Sequence, residues 1–138
     1  MRRYAPSVSD VPRYRVLLVD DDPVIVRLLE VNFRLDGFDV VTASGGEEAL
    51  EKASADPPDI VVLDVMMPGL DGWEVCSRLR RKPNLAETPI VFLSARAQDD
   101  DRAHGHALGV VEYVTKPFDP EDLIEVVRRR LGVEAGPS

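Results

Sequence analysis

The sequence has a single cysteine, Cys76, so no disulfide can form within the chain, and a reducing compartment is the simplest setting for it. Long apolar runs are also missing. Segments such as Val16–Val19 and Ile60–Leu63 fall far short of the roughly 18 residues that a membrane-spanning helix needs. Nor is there any excess of positive charge: 17 Lys and Arg stand against 25 Asp and Glu, a formal net charge of -8. That balance argues against nucleic-acid binding by this domain and against adhesion to a membrane, and it suits cations or a basic partner. The opening MRRYAPSVSDVPR is basic but has no apolar core of the kind a secretory signal carries. The cytoplasm is therefore the expected location.

What is present fits one globular domain. The chain has 138 residues, 44% hydrophobic and 30% charged, long enough to bury a sizeable core and too apolar to be disordered. Residues 1–13, with Pro6 and Pro12 and no periodicity, read as a flexible leader, and residues 133–138 as a flexible tail or the start of a linker. Between them, residues 14–132 alternate. Strand-length apolar segments fall at 15–20, 39–43, 59–64, 89–94 and 111–114, and a helical pattern follows each. The first helix is expected to bury Ile25, Leu28, Leu29, Phe33 and Leu35 and to end before Gly37; the last carries Leu123, Ile124, Val127 and Leu131 on one face and stops at Gly132. Five β/α repeats with nearly continuous apolar strands imply a doubly wound α/β fold, a parallel sheet with helices on both faces.

Against this frame the segment VLLVDDDP, residues 16–23, raises a question of electrostatics. Adjacent carboxylates about 4 Å apart repel by about 1 kcal/mol in water and about 4 kcal/mol near a protein surface. Protonation, splaying into solvent or a bound cation can relieve them. Asp22, followed by Pro23, is the expected N-cap of the first helix, as Asp119 before Pro120 is of the last. That leaves Asp20 and Asp21. They end the first strand, while Asp64 ends the third, Ser94 the fourth, and Lys116 lies just past the fifth. All five arrive at the carboxyl edge of the sheet, where doubly wound folds bind their ligands.

These motifs, LLVDDDP, VVLDVMMPGLDG, IVFLSA and EYVTKPF, in this order over about residues 15–132, resemble the receiver domain of two-component response regulators. The resemblance implies a flavodoxin-like sheet of order 2-1-3-4-5. It implies that Asp64 is the phosphoacceptor, and that Asp20, Asp21, Asp64 and the backbone carbonyl of Met66 hold Mg²⁺. Lys116 would meet a phosphoryl oxygen, with a cis bond before Pro117; Ser94 would donate its hydroxyl to the phosphoryl group; Tyr113 would change rotamer with Ser94. The implied activity is a phosphorylation switch, not an enzyme in the usual sense, that assists its own phosphorylation and dephosphorylation. Its implied partners are a histidine kinase or phosphotransfer protein and an output domain or effector. A homodimer through the face of the fourth helix, fifth strand and fifth helix is a further implied option. Val110-Val111, where small and acidic residues are common, is expected to alter packing beside the fifth strand.

Two other classes compete. A Mg²⁺-dependent phosphohydrolase with an aspartyl nucleophile needs an acid two residues after it, where this chain has Met66. A phosphate-independent binding module would not need the full set of acids and lysine, and a flavin binder would want an aromatic-rich phosphate loop. Other features read as structural. Ser44-Gly45-Gly46 lacks the spacing of a nucleotide loop, and His104 and His106, two apart on the fourth predicted helix, point to different faces. Trp73 and Cys76 read as packing, and Arg80-Arg81-Lys82 as bases that offset the dipole at the end of the third helix. Met66 and Arg96 are expected to flank the site and affect phosphoryl lifetime.

Overall fold

The computed structural model describes residues 13–95 and 106–133. Five strands, β1 (Arg15–Val19), β2 (Asp39–Ala43), β3 (Ile60–Asp64), β4 (Ile90–Ser94) and β5 (Val110–Thr115), form one parallel sheet in the order β2-β1-β3-β4-β5. Four described helices connect and follow them: α1 (Pro23–Leu35), α2 (Gly46–Ala55), α3 (Gly72–Arg80) and α4 (Pro120–Leu131). Most of the helix expected between β4 and β5, with Arg96 and His104, lies outside the described residues, as do residues 1–12 and 134–138. His106 is exposed.

The strands are apolar on both sides because both faces are covered. On one face Leu17, Val19, Val61, Leu63, Ile90 and Phe92 pack with Leu50 of α2 and with Val75, Cys76 and Leu79 of α3. On the other, Val16, Leu18, Ile60, Val62, Val91 and Leu93 pack with Leu29 and Phe33 of α1 and with Leu123, Ile124 and Val127 of α4. Trp73 stands edge-on to Phe92 with centroids 4.9 Å apart, and Cys76 is fully buried, its thiol pushed up to about 11 by that burial against the opposing charge of Arg80. Both are packing residues, as their positions suggest.

The caps follow the sequence. Asp22 accepts from the amide of Val24 and Asp119 from that of Glu121, each at 2.9 Å, with proline next in line, and Gly132 ends α4 at φ 71°. Basic side chains also close the outer edge of the sheet at β2, where Arg34 donates to the carbonyl of Val40 and Lys52 to that of Thr42.

The core stripe of α1 needs a correction. Leu29 and Phe33 are buried and Ile25 packs beside them, but Leu28 is 42% and Leu35 81% exposed. At about 100° per residue, Leu28 and Leu35 fall in line with Val24 and Val31, not with the 25/29/33 row. Val24 and Val31 are exposed as well, so α1 carries a second apolar stripe along its solvent side.

Candidate metal and phosphoryl site

β1 delivers Asp20 to the carboxyl edge, where the residue is only 2% exposed. Its Oδ1 accepts from the amide of Asp22 at 2.9 Å, which folds the chain tightly into α1. Its Oδ2 is buried without a hydrogen bond of good geometry; what it has is a charge contact, the Lys116 ammonium at 2.9 Å. Asp21 is exposed, and Asp22 is engaged by its cap. So the three consecutive acids divide into one buried ligand-type carboxylate, one at the surface and one helix cap.

β3 ends on Asp64, 4% exposed, and the loop beyond it folds back onto the strand. The amide of Gly72 donates to the carbonyl of Val65 at 2.9 Å, and Asp71 caps α3 by accepting from Glu74 at 2.9 Å. A Cβ on Gly72 would stand 2.7 Å from the Asp64 carbonyl oxygen and 2.8 Å from the Val65 Cα, both backbone atoms that cannot swing aside. Gly72→Ala is therefore expected to destabilise the protein by about 1–3 kcal/mol, read from its urea midpoint. The local sequence pattern assigns Gly72 no role. Its signal was an Asp-Gly pair just inside a helix start, whose close contact only the folded loop reveals.

Beyond β5, Lys116 precedes a cis bond to Pro117, and its amide donates to the carbonyl of Ser94 at 2.7 Å. Its Nζ lies 2.9 Å from Asp20 Oδ2 and 3.5 Å from Asp64 Oδ1. Carboxylate oxygens of Asp20, Asp21 and Asp64 all lie within 4.8 Å of one another. Ser94, 4% exposed, ends β4 on the face of Phe92, and Tyr113 meets that Phe92 ring edge-on at 5.6 Å. Met66 follows Asp64 by two residues with its side chain 73% exposed. The structure thus brings Asp20, Asp21, Asp64 and Lys116 together, with Ser94 tied to Lys116 through the backbone.

The electrostatics follow from this crowding. Burial and then the charge of Asp20 push the Asp64 carboxyl up to about 6, with Lys116 and the backbone of Met66 pulling the other way. Burial opposes the charge of Lys116, but its contact with Asp20 and the charges of Asp64 and Asp20 outweigh that and hold the ammonium above its ordinary range. Among the described residues three carboxylates cluster here, two of them beside the Lys116 ammonium, and one buried oxygen is left with a charge contact alone. An all-oxygen set of this kind fits a small hard divalent cation such as Mg²⁺, which keeps several waters and takes few protein ligands.

A five-stranded 2-1-3-4-5 parallel sheet with an acid cluster and a lysine at its carboxyl edge is a flavodoxin-like α/β domain with a candidate metal site. The family model for the response regulator receiver domain matches residues 16–128. The chain is 44% identical over 124 residues to the alkaline phosphatase synthesis transcriptional regulatory protein PhoP of Bacillus subtilis, covering 88% of this chain and 51% of that protein. Among solved structures it resembles the Vibrio cholerae chemotaxis protein CheY4, with TM-score 0.82, 32% identity and coverage of 86% and 98% of the two chains. It also resembles the Thermotoga maritima response regulator TrrA in complex with Mg(2+)-BeF, with TM-score 0.73, 36% identity and coverage of 84% and 97%. The chain belongs to the receiver-domain family of two-component response regulators. It spans about half the length of the curated relatives it matches. No helix among the described residues is long and apolar enough to cross a membrane.

Proposed function

We propose that this domain is a phosphorylation-controlled switch that accepts a phosphoryl group on Asp64 from a histidine kinase or phosphotransfer protein. The observation that carries this is the buried Asp64 carboxylate at a strand end, flanked by two further acids and an ammonium 3.5 Å away. A carboxylate oxygen of Asp64 attacks phosphorus, the bond from phosphorus to the donor's imidazole nitrogen breaks, and its electron pair leaves with that nitrogen. Lys116, already between Asp20 and Asp64, shifts its charge toward a phosphoryl oxygen. Ser94 donates its hydroxyl to another, and Tyr113 follows it by changing rotamer. Bound by Asp20, Asp21, Asp64 and the carbonyl of Met66, Mg²⁺ would neutralise charge on the carboxylates and on the transferring group. Positioning and charge do most of the work, and the same groups govern the return to free carboxylate.

The output surface in this reading is the segment between β4 and β5 together with β5 and α4, which leaves room for a homodimer or an effector. The relatives are transcriptional regulators, so an output domain that acts on transcription is the expected partner in a full-length protein. A phosphohydrolase would need an acid where Met66 stands in solvent. Incubation with a small acyl phosphate and Mg²⁺ tests the proposal by intact mass. One phosphoryl group per chain, mapped to Asp64, is expected; no gain, or a gain that persists in Asp64→Asn, overturns it.

The exposed stripe of α1, Val24, Leu28, Val31 and Leu35, starts beside the acid cluster and has no cover among the described residues. In this reading it seats a helix of the phosphodonor. Leu28→Asp should slow transfer from a protein donor about tenfold, the worth of one apolar anchor. Labelling by the small acyl phosphate should stay unchanged, and equal slowing of both would remove the stripe from donor contact.

A further inference from the structure

Lys116 reaches the acids only because β5 breaks its own alternation. Val110 packs on the α2/α3 face of the sheet, so strict period-2 alternation would put residues 112, 114 and 116 there too. Instead Tyr113 packs on that face and Val114 on the α1/α4 face, where Asp20 and Asp64 lie by the alternation of β1 and β3. The pairing shows the cause. Ile90 opposes Val110 but Val91 opposes Glu112, so Val111 is an extra residue, a bulge that flips everything after it. Without it Lys116 would emerge on the far side of the sheet from both carboxylates.

Two arginines grip this irregular stretch. Arg80, at the end of α3, donates from Nε to the carbonyl of Leu108 at 2.6 Å and from Nη2 to that of Gly109 at 3.2 Å. Its Nη1 donates to the carbonyls of Leu85 at 3.0 Å and Ala86 at 3.1 Å, in the lead-in to β4. One guanidinium thus ties the approach of β4 to the approach of β5. Gly109, at φ 84°, is the close partner; a Cβ there would stand 2.8 Å from the Arg80 Nη2. From the other face Arg130 of α4 donates to the carbonyl of Val111 itself at 2.9 Å and pairs with Glu112 at 3.0 Å. Arg80 therefore does more than offset a helix dipole.

We infer that Arg80, with Arg130, is a positioning residue that sets the register of β5 and so holds Lys116 on the carboxylate face. The inference rests on the reading of Lys116 and Asp64 as phosphoryl-site residues, but its test does not. Amide hydrogen exchange of Arg80→Met, which keeps the apolar stem and loses the fork, reads the register directly. Exchange of the Lys116 amide, which donates to Ser94, is expected to rise about tenfold relative to β3 amides such as those of Val62 and Leu63, a local loss worth about one hydrogen-bonded contact. The through-space NMR contact between the Tyr113 and Phe92 rings should weaken with it. Unchanged relative protection of Lys116, or an equal rise across β1, β3 and β5, overturns the inference. Should Arg80→Met not fold, Arg130→Met, at an exposed position, applies the same exchange test to the bulge, with the same two outcomes. Labelling of Arg80→Met by acyl phosphate should fall about tenfold alongside the exchange change. If wild type takes no label at all, the phosphoacceptor reading falls while the exchange result still decides the register.

Discussion

Lys116→Met should unfold about 3 kcal/mol more easily than the wild type at pH 7.5 without divalent ions, because removing one partner of a buried ion pair strands the other. Here the stranded groups are two carboxylates, Asp20 and Asp64, 2% and 4% exposed, whose cationic partner among the described residues is this ammonium. The loss should shrink at pH 5. Asp64, already pushed up to about 6, is then largely protonated and no longer needs a counter-charge. Urea midpoints at the two pH values check this, and millimolar Mg²⁺ should recover part of the deficit at pH 7.5. An equal loss at both pH values would mean that Lys116 contributes packing and not charge.

Asp64→Asn should do the opposite in the absence of Mg²⁺ and stabilise the domain at pH 7 by on the order of 2 kcal/mol, as well as abolish labelling. The sign follows from linkage. The Asp64 carboxyl is raised from an ordinary 3.8 to about 6, so between those values the folded protein holds a proton that the unfolded chain has lost. Wild-type stability therefore falls as pH rises through that window, and the full cost persists above it. A shift of one unit is worth about 1.4 kcal/mol, and the neutral amide avoids it. Below about pH 4 the two proteins should converge. Added Mg²⁺ should raise the wild-type midpoint through preferential binding to the folded state and leave the Asn variant almost unmoved. A variant less stable than wild type at neutral pH would show that the acid cluster is not strained by its own charge.

Alternation of apolar strands and amphipathic helices, legible in residues 14–132, determined by itself that this chain forms a doubly wound parallel sheet. It also placed Asp20, Asp21, Asp64, Ser94 and Lys116 at strand ends, because in such a fold every parallel strand finishes on the same edge. Asp-Pro pairs identified both helix caps, since capping is local chemistry between a side chain and an amide two residues away. Other features depended on contacts between distant segments. Whether Leu28 and Leu35 were core or surface turned on where α1 rests on the sheet, which its own hydrophobic periodicity leaves open by a quarter turn or more. The division of labour among three adjacent aspartates, the need for glycine at 72 and the grip of Arg80 on four carbonyls all involve partners that the local pattern does not name. Above all, which face of the sheet receives Lys116 was decided by one extra residue in β5, because side chains alternate with a period of two and a single insertion reverses the side on which everything beyond it emerges.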